Sequence, residues 1–396
     1  MIRTLAGLML LVLTALVLTA CPSPVPAKNV SVTATGADAA AYRVGSGSWQ
    51  VPDDVTSFAF TATGAYEVAV RCGDDTSVWS LTKADTETPD LSCPPAATSP
   101  VAFDVTFDVS SVAGAAEAEL YYGDNSMASA TTTGTFNVTN GSAGEQDLVL
   151  VALDGSGTPI AADMLTVNVT AGGSYSITLA AGDTANVISG SIADFSAQVP
   201  GGWPPAGAMM LTVSPKGTGV MGGFLGSSGG PFTSFTFSDH DLAFVMAADG
   251  SGVQSLLHLA TSTSPGASFT ADLPAPFDAT VSSDTFPTVS GLSISDPELR
   301  LYAIDMRWTT KSLSAMVSAG FLAGATSYTL PDLTGLAGFA GVAPATGDAV
   351  TVDSSVFYAS LTTSEMFDLV TQDSPFGFPG GLSVRFAGDQ DSFTAP

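Results

Sequence analysis

Two histidines, three cysteines and one glycine-rich stretch are the parts of this 396-residue sequence from which chemistry could be built. Gly226-Ser227-Ser228-Gly229-Gly230 has the Gly-x-Ser-x-Gly form of a nucleophile elbow, where a serine on a strand-to-helix turn attacks and a later histidine takes its proton. His240 and His258 do follow it. The glycines and Pro231 around Ser228 cannot continue into the helix that such an elbow needs, so a loop is expected. Just upstream, Gly217-Thr218-Gly219-Val220-Met221-Gly222 matches the Gly-x-Gly-x-x-Gly spacing of a dinucleotide loop. Here too no helix can follow, and the pyrophosphate would lack the helix N-terminus that binds it. No catalytic residue and no cofactor is assigned.

Metal chemistry is equally poorly supplied. A three-histidine site cannot be assembled from two, and Cys-x-x-Cys is absent. His258, within Leu256-Leu257-His258-Leu259, reads as a strand residue with a partly buried ring; His240, flanked by Asp239 and Asp241, is a turn residue whose pKa those carboxylates would raise. Asp74-Asp75, Asp239-His240-Asp241 and Asp389-Gln390-Asp391 do not extend into the Asp-x-Asp-x-Asp-Gly spacing of a calcium loop, so no metal ligand is assigned. Glu67, Glu117, Glu119, Glu298 and Glu365 share no motif that would pair two of them for glycoside hydrolysis. Trp49, Trp79, Trp203 and Trp308 could stack on sugars, although core and domain-interface anchoring is the commoner use of such residues.

The strongest signal lies at the beginning. Arg3 precedes an apolar run from Leu5 to Leu18, and Leu18-Thr19-Ala20-Cys21 follows. A basic n-region, an apolar h-region and small residues before a cut describe a secretory signal rather than a membrane span. Leu-Thr-Ala-Cys resembles the lipobox of bacterial lipoproteins. That resemblance implies cleavage before Cys21, acylation of its thiol with palmitate-type chains and anchoring of the chain to a membrane. Pro22-Ser23-Pro24-Val25-Pro26 then reads as a short extended tether. An aspartate after the cysteine would resemble an inner-membrane retention signal; Pro22 stands there instead, which favours the outer membrane or cell surface.

With Cys21 committed to lipid, Cys72 and Cys93 remain, and in an oxidising compartment they are expected to form a disulfide. A closed loop of about 22 residues stabilises a fold by roughly 3 kcal/mol on the loop-entropy model. The 37 acidic and 10 basic residues give a net charge of −27, which repels nucleic acid and excludes it as a partner. Only 12% of the residues are charged and 45% are hydrophobic, yet no second run long enough to span a membrane appears. The 41 glycines and 24 prolines favour strands punctuated by turns.

Those strands are visible as period-two alternation, for example Val30, Val32 and Ala34 against Ser31, Thr33 and Thr35. One unit recurs along the chain. Asp147 to Gly157 parallels Asp241 to Gly252, with a fainter copy from Tyr66 to Asp75, each reading as strand, Asp/Gly turn and strand. The closing stretches Gly173 to Leu179 and Ala267 to Leu273 match as well. Ser312 to Leu322 suits a helix or a strand, and the strand-like neighbours favour strand.

The expected fold is all-β, with tandem immunoglobulin-like β-sandwich modules after a lipoprotein signal peptide. The signal occupies residues 1–20 and the lipidated tether 21–28. A first β module with the disulfide covers 29–94, and an immunoglobulin-like sandwich covers 101–183, without the Cys-Trp-Cys spacing of antibody domains. A C-terminal β region covers 187–396, as one unit or as two dividing near 275–290. The central sandwich also resembles the accessory β-sandwiches, such as carboxypeptidase regulatory-like domains, that bacteria string together on surface proteins. The expected protein is a non-enzymatic envelope lipoprotein with a structural, adhesive or interaction role, anchored through Cys21 and meeting envelope proteins or glycans. A carbohydrate- or cation-binding lipoprotein is the alternative, and a hydrolase working through Ser228 comes third.

Overall fold

Alternating apolar residues do form strands, and aspartates set the turns between them. In the computed structural model, which describes residues 28–95, 99–123, 126–370 and 378–396, Cys21 and the expected signal peptide lie outside the described residues. Asp154 accepts from Ser156 N, Ser156 Oγ and Thr158 N at 2.8, 2.6 and 3.0 Å, while Gly157 takes a positive φ of 80° that closes the turn. Asp249 repeats the device, accepting from the Ser251 hydroxyl and from Gln254 N, with Gly252 at φ 75°. The duplicated Asp-Gly-Ser-Gly signature is thus a duplicated hairpin turn.

The first unit contains β1 (Val30–Thr33), β2 (Ala39–Val44), β3 (Ser57–Phe60), β4 (Ala65–Cys72) and β5 (Asp75–Thr82). The second contains β6 (Val101–Asp108), β7 (Glu117–Tyr122), β8 (Ser126–Ala130), β9 (Thr133–Gly141), β10 (Gly144–Leu153), β11 (Pro159–Val169) and β12 (Gly173–Thr178). The third runs through β13 (Val187–Ile192), β14 (Gly207–Val213), β15 (Gly219–Gly226), β16 (Gly230–Phe235), β17 (His240–Ala248), β18 (Gln254–Ser262) and β19 (Ser268–Phe269). The fourth comprises β20 (Thr280–Val281), β21 (Thr288–Ser290), β22 (Leu299–Trp308), β23 (Lys311–Ser318), α1 (Ala319–Leu322), β24 (Ser327–Thr329), β25 (Ala349–Ala359), α2 (Thr363–Val370) and β26 (Ser383–Thr394).

A common strand order links all four. With the strands of the second unit lettered A to G, one sheet runs C-B-E-F (β8-β7-β10-β11) and the other D-A-G (β9-β6-β12), with G parallel to A. The third unit repeats this as β15-β14-β17-β18 and β16-β13-β19, again with the last strand parallel to the first. In the fourth, β23-β22-β25-β26 is the same four-stranded sheet, and β20 takes the G position beside β21, running antiparallel. The first unit is a reduced version: β2-β4-β5 lacks strand C, β1 pairs with β3, and a parallel bridge from Thr33 to Asp90 stands where strand G would be. The architecture is the all-β sandwich expected, although antibody constant domains place strand C in the opposite sheet.

The units do not remain separate. Edge strand β18 of the third pairs antiparallel with β26 of the fourth, from Gln254–Asp389 to Ala260–Ser383. On the far side, β23 pairs in parallel with β5, from Ser312–Asp75 to Val317–Ser80. Three four- or three-stranded sheets thereby fuse into one of eleven strands, β15-β14-β17-β18-β26-β25-β22-β23-β5-β4-β2. The 29–94 segment, expected as a module in its own right, is by backbone pairing a continuation of the C-terminal sheet. Ser312 to Ser318 is the strand expected, followed by the short α1 rather than by more strand.

Both faces of β4 and β5 are covered, one by β1 and β3 and the other by the fourth unit. Val68, Val70, Trp79 and Leu81 pack toward the first unit's own core, while Ala69 and Val78 join the core on the other face. Trp79 is 6% exposed and stacks on Phe367 of α2 with ring centroids 4.5 Å apart. Trp79→Ala is expected to cost about 3–5 kcal/mol. Scanning calorimetry should show the first, third and fourth units melting together at a lower temperature; a transition of the first unit alone would contradict the shared sheet.

Candidate functional site

The side chains that sequence reading held available for chemistry are engaged in structure. Gly217 to Gly222 forms a turn and then enters β15, and Gly226 to Gly230 is the turn joining β15 to β16, with Ser228 exposed on it. Neither glycine motif is followed by a helix. Among the described residues, neither histidine hydrogen-bonds Ser228. His240 is buried in β17, not in the turn expected for it, with Nδ1 3.0 Å from Asp239 Oδ2 and Nε2 without a hydrogen-bond partner. His258 is buried in β18, where Nδ1 accepts from Asp272 N at 3.1 Å and Nε2 donates to Ser383 Oγ at 3.0 Å. Cys72, at the end of β4, is joined to Cys93. Among the described residues, no three His, Cys, Asp or Glu side chains group to hold a metal ion, and no helix is long and apolar enough to cross a membrane.

The tryptophans are also occupied. Arg43 lies over the Trp49 ring at 4.9 Å, Trp79 stacks on Phe367, Trp308 is buried, and Trp203 packs at the edge of the main core. They form no common platform for a sugar.

Two of the buried carboxylates, Glu67 and Asp147, hold one unit to the next. Glu67, on β4 and 1% exposed, accepts from the Arg43 guanidinium, from Ser80 Oγ at 3.0 Å and from the Tyr328 hydroxyl at 3.1 Å. Tyr328 belongs to the fourth unit, so this carboxylate locks the first to the last. Burial, reinforced by the Glu67 charge, pushes the Tyr328 phenol well above its ordinary range and keeps it a donor. Asp147, on β10, accepts from Lys216 N at 2.9 Å and Thr166 Oγ1 at 2.6 Å; its own carbonyl accepts from Thr218 Oγ1 at 2.7 Å. That network joins the second unit to the third.

Between the third and fourth units stands Arg385. Its guanidinium, 16% exposed, meets Glu298 at 2.7 Å, Asp272 at 3.4 Å and Asp296 at 3.5 Å, and lies 5.0 Å from the Tyr358 ring. Sequence reading found Glu67 and Glu298 only as unassigned carboxylates. For Glu67 the signal available was an arginine opposite it, Arg43 across the β2–β4 pair; Glu298, two strands from Arg385, left no local signal.

Two depressions flank α2. One, of about 480 Å³, is lined by Asp85, Arg300, Ser360 and Thr362 among others. Arg300 already donates there to the carbonyls of Leu361, Pro297 and Leu299. The other is an apolar groove of about 410 Å³ between α2 and the sheet, walled by Leu257, Phe357, Leu369, Phe378 and Phe386.

No protein-family model matches the chain, and no curated protein matches it. Among solved structures, a Bacteroides ovatus protein described as a candidate adhesin aligns at 9% identity and a TM-score of 0.17, covering 46% of this chain and 99% of that one. The FN1–FN3 domains of chicken CNTN1 align at 10% identity and a TM-score of 0.17, covering 68% of this chain and 95% of that one. Scores of this size fall far below those of shared folds, so the strand order rests on this chain's own pairing.

Two measurements probe the junctions. Glu67→Gln keeps the shape but removes the charge facing Arg43, and is expected to lower stability by about 1–3 kcal/mol in urea denaturation; an unchanged midpoint would mean the contact is not holding the units. His258 titrates below its ordinary value, chiefly because it is buried, with Asp272 opposing and Arg385 adding to the shift. The folded chain therefore refuses a proton that the unfolded chain binds, and stability should fall as pH drops below about 6.5. His258→Gln should flatten the dependence of melting temperature on pH in that range; an equally steep curve would remove His258 as its source.

Proposed function

We propose that this chain is a lipid-anchored bacterial envelope protein that presents a rigid, acidic β surface for structural, adhesive or interaction purposes. The observation that carries the reading is Leu18-Thr19-Ala20-Cys21 directly behind an apolar h-region, with Pro22 to Pro26 as the tether to the first sandwich. A protein held at a surface to touch other molecules needs a stiff body more than a reactive cleft, and a sheet continuous through three of four units supplies stiffness. With a net charge of −27, its partners are uncharged or cationic groups on envelope proteins or glycans, not nucleic acid. The carbohydrate- or cation-binding alternative draws less support, because the tryptophans are packed away from one another and the buried carboxylates are paired. The hydrolase reading draws less still, with Ser228 far from any engaged base in hydrogen-bonding terms.

Expressed in a bacterial host with an alkyne analogue of palmitate, the chain should take up label and sediment with membranes. Cys21→Ser should lose both. Labelling that persists in Cys21→Ser, or a chain recovered wholly in the soluble fraction, would sink the anchoring part of the proposal.

A further inference from the structure

The outer face of a C-B-E-F sheet, turned away from its own sandwich core, is a recurring question in this molecule. In the second unit that face carries Tyr121, Val149, Val151 and Ala162, and the third unit covers it with Val220 and Phe235. In the first unit it carries Ala39, Ala41, Ala69 and Val78, and is covered as part of the main core with Phe339 and Val342 of the fourth. The third unit is covered only in part: on this face Leu211, Leu242 and Leu259 are buried in the core shared with α2 and Leu382. Its outer face continues into that of the fourth across the β18–β26 pair, and strand register strings apolar side chains along it. Phe224 stands opposite Met209, Met209 opposite Phe244, Met246 opposite Leu257, Leu257 opposite Phe386, and Phe386 opposite Phe357. The row crosses six strands, about 24 Å at the usual strand spacing.

The two ends of this row differ in shape. At one end Phe224 is 73% exposed, the highest value for any large apolar side chain among the described residues; Met246, 46% exposed, lies near the middle. At the other end the row sinks into the apolar groove beneath α2. A knob at one end and a hole at the other are self-complementary: a two-fold axis through the centre of the row, between β17 and β18, lays each Phe224 over the groove of the other copy. Charge points the same way. Strands β14 and β15 hold no charged residue, β18 holds none beyond His258, and the one acid of β17, Asp241, is turned to the opposite face against Thr212 and Ser234. Two copies at −27 each meet with least repulsion along β15-β14-β17-β18, while β25 and β26 at the groove end carry Asp353, Asp389 and Asp391.

We infer that this face is the interface of a two-fold homodimer, in which the Phe224 ring of each copy enters the groove between α2 and the sheet of the other. The contact is small, and its affinity falls in the weak, transient class. It is independent of lipid anchoring and of any adhesive role.

Sedimentation of the purified full chain over a roughly hundred-fold concentration range tests it, because mass action makes a dimer concentration-dependent. The average mass should rise toward twice that of the protomer, and rise further with added salt as screening weakens the repulsion between acidic copies. Phe224→Asp and Met246→Asp, each at an exposed position, should keep the melting temperature and weaken association at least about ten-fold, equivalent to 1.4 kcal/mol. All these proteins carry the same N-terminal segment, so only the row differs. In a Cys21→Ser background, Phe224→Cys combined with Leu369→Cys should form a covalent dimer on mild oxidation, since Leu369 walls the groove that Phe224 of the other copy enters. A wild-type chain that stays monomeric throughout overturns the inference, as does association that survives Phe224→Asp unchanged. A monomer that instead binds neutral phosphatidylcholine vesicles through Phe224 also overturns it, and assigns the face to lipid.

Discussion

An edge strand presents a row of backbone N–H and C=O groups that must find partners or remain wet, and in this molecule such edges meet one another. Two pairings, β18 with β26 and β23 with β5, turn sandwiches that could each have stood alone into parts of one sheet. Much else follows from those two ladders. They bring Arg385 within reach of Asp272, set Glu67 beneath Tyr328, and place α2 where Phe367 meets Trp79. Side-chain contacts at the junctions depend on a register that the backbone has already chosen.

The junction chemistry is correspondingly conservative. A buried carboxylate is tolerated only when its oxygens are satisfied, and Glu67, Asp147 and Asp241 all accept from hydroxyls or backbone N–H groups. Asp241 shows what the burial costs: desolvation raises its pKa against the lowering effect of Ser234, Gly266 and Thr212. Glu67 and Asp147 serve to fix which unit sits against which, whereas Asp241 ties together strands of the third unit alone. Replaced by apolar residues, the same interfaces would be greasier and less particular about register.

Much of the local structure was legible in the sequence. Period-two alternation, the Asp-Gly turns and the resemblance between Asp147 to Gly157 and Asp241 to Gly252 all correspond to real hairpins, because strand and turn preferences act over a few residues. The fourth copy escaped notice because its E and F strands are joined by a long excursion from Ser360 to Leu382 containing α2, where the other copies have a tight turn. Inter-unit pairing escaped for a different reason: the partners β5 and β23 are more than two hundred residues apart, and nothing local encodes their register. One local clue to a covered outer face does lie in the sequence. Leu148 to Leu153 is an unbroken apolar run, which marks a strand buried on both faces and so announces that the outer side of its sheet is covered. His240 was misplaced in a turn since its flanking aspartates look like turn residues; strand β17 begins one residue earlier than that pattern suggests.

The parallel ladder between β5 and β23 also bears on how the chain comes to be folded. Strand β5 is made early and its partner late, so during synthesis the first unit exists for a long interval with a bare edge and an uncovered Trp79. High contact order of this kind slows folding and leaves aggregation-prone edges open to strangers. The hairpin β4–β5, tied at its turn end through Cys72 to the Cys93 segment that runs beside Thr35, has a covalent means of waiting. On that view the disulfide belongs to biogenesis as much as to the finished protein: it keeps an incomplete sheet in shape until the last sandwich arrives to close it.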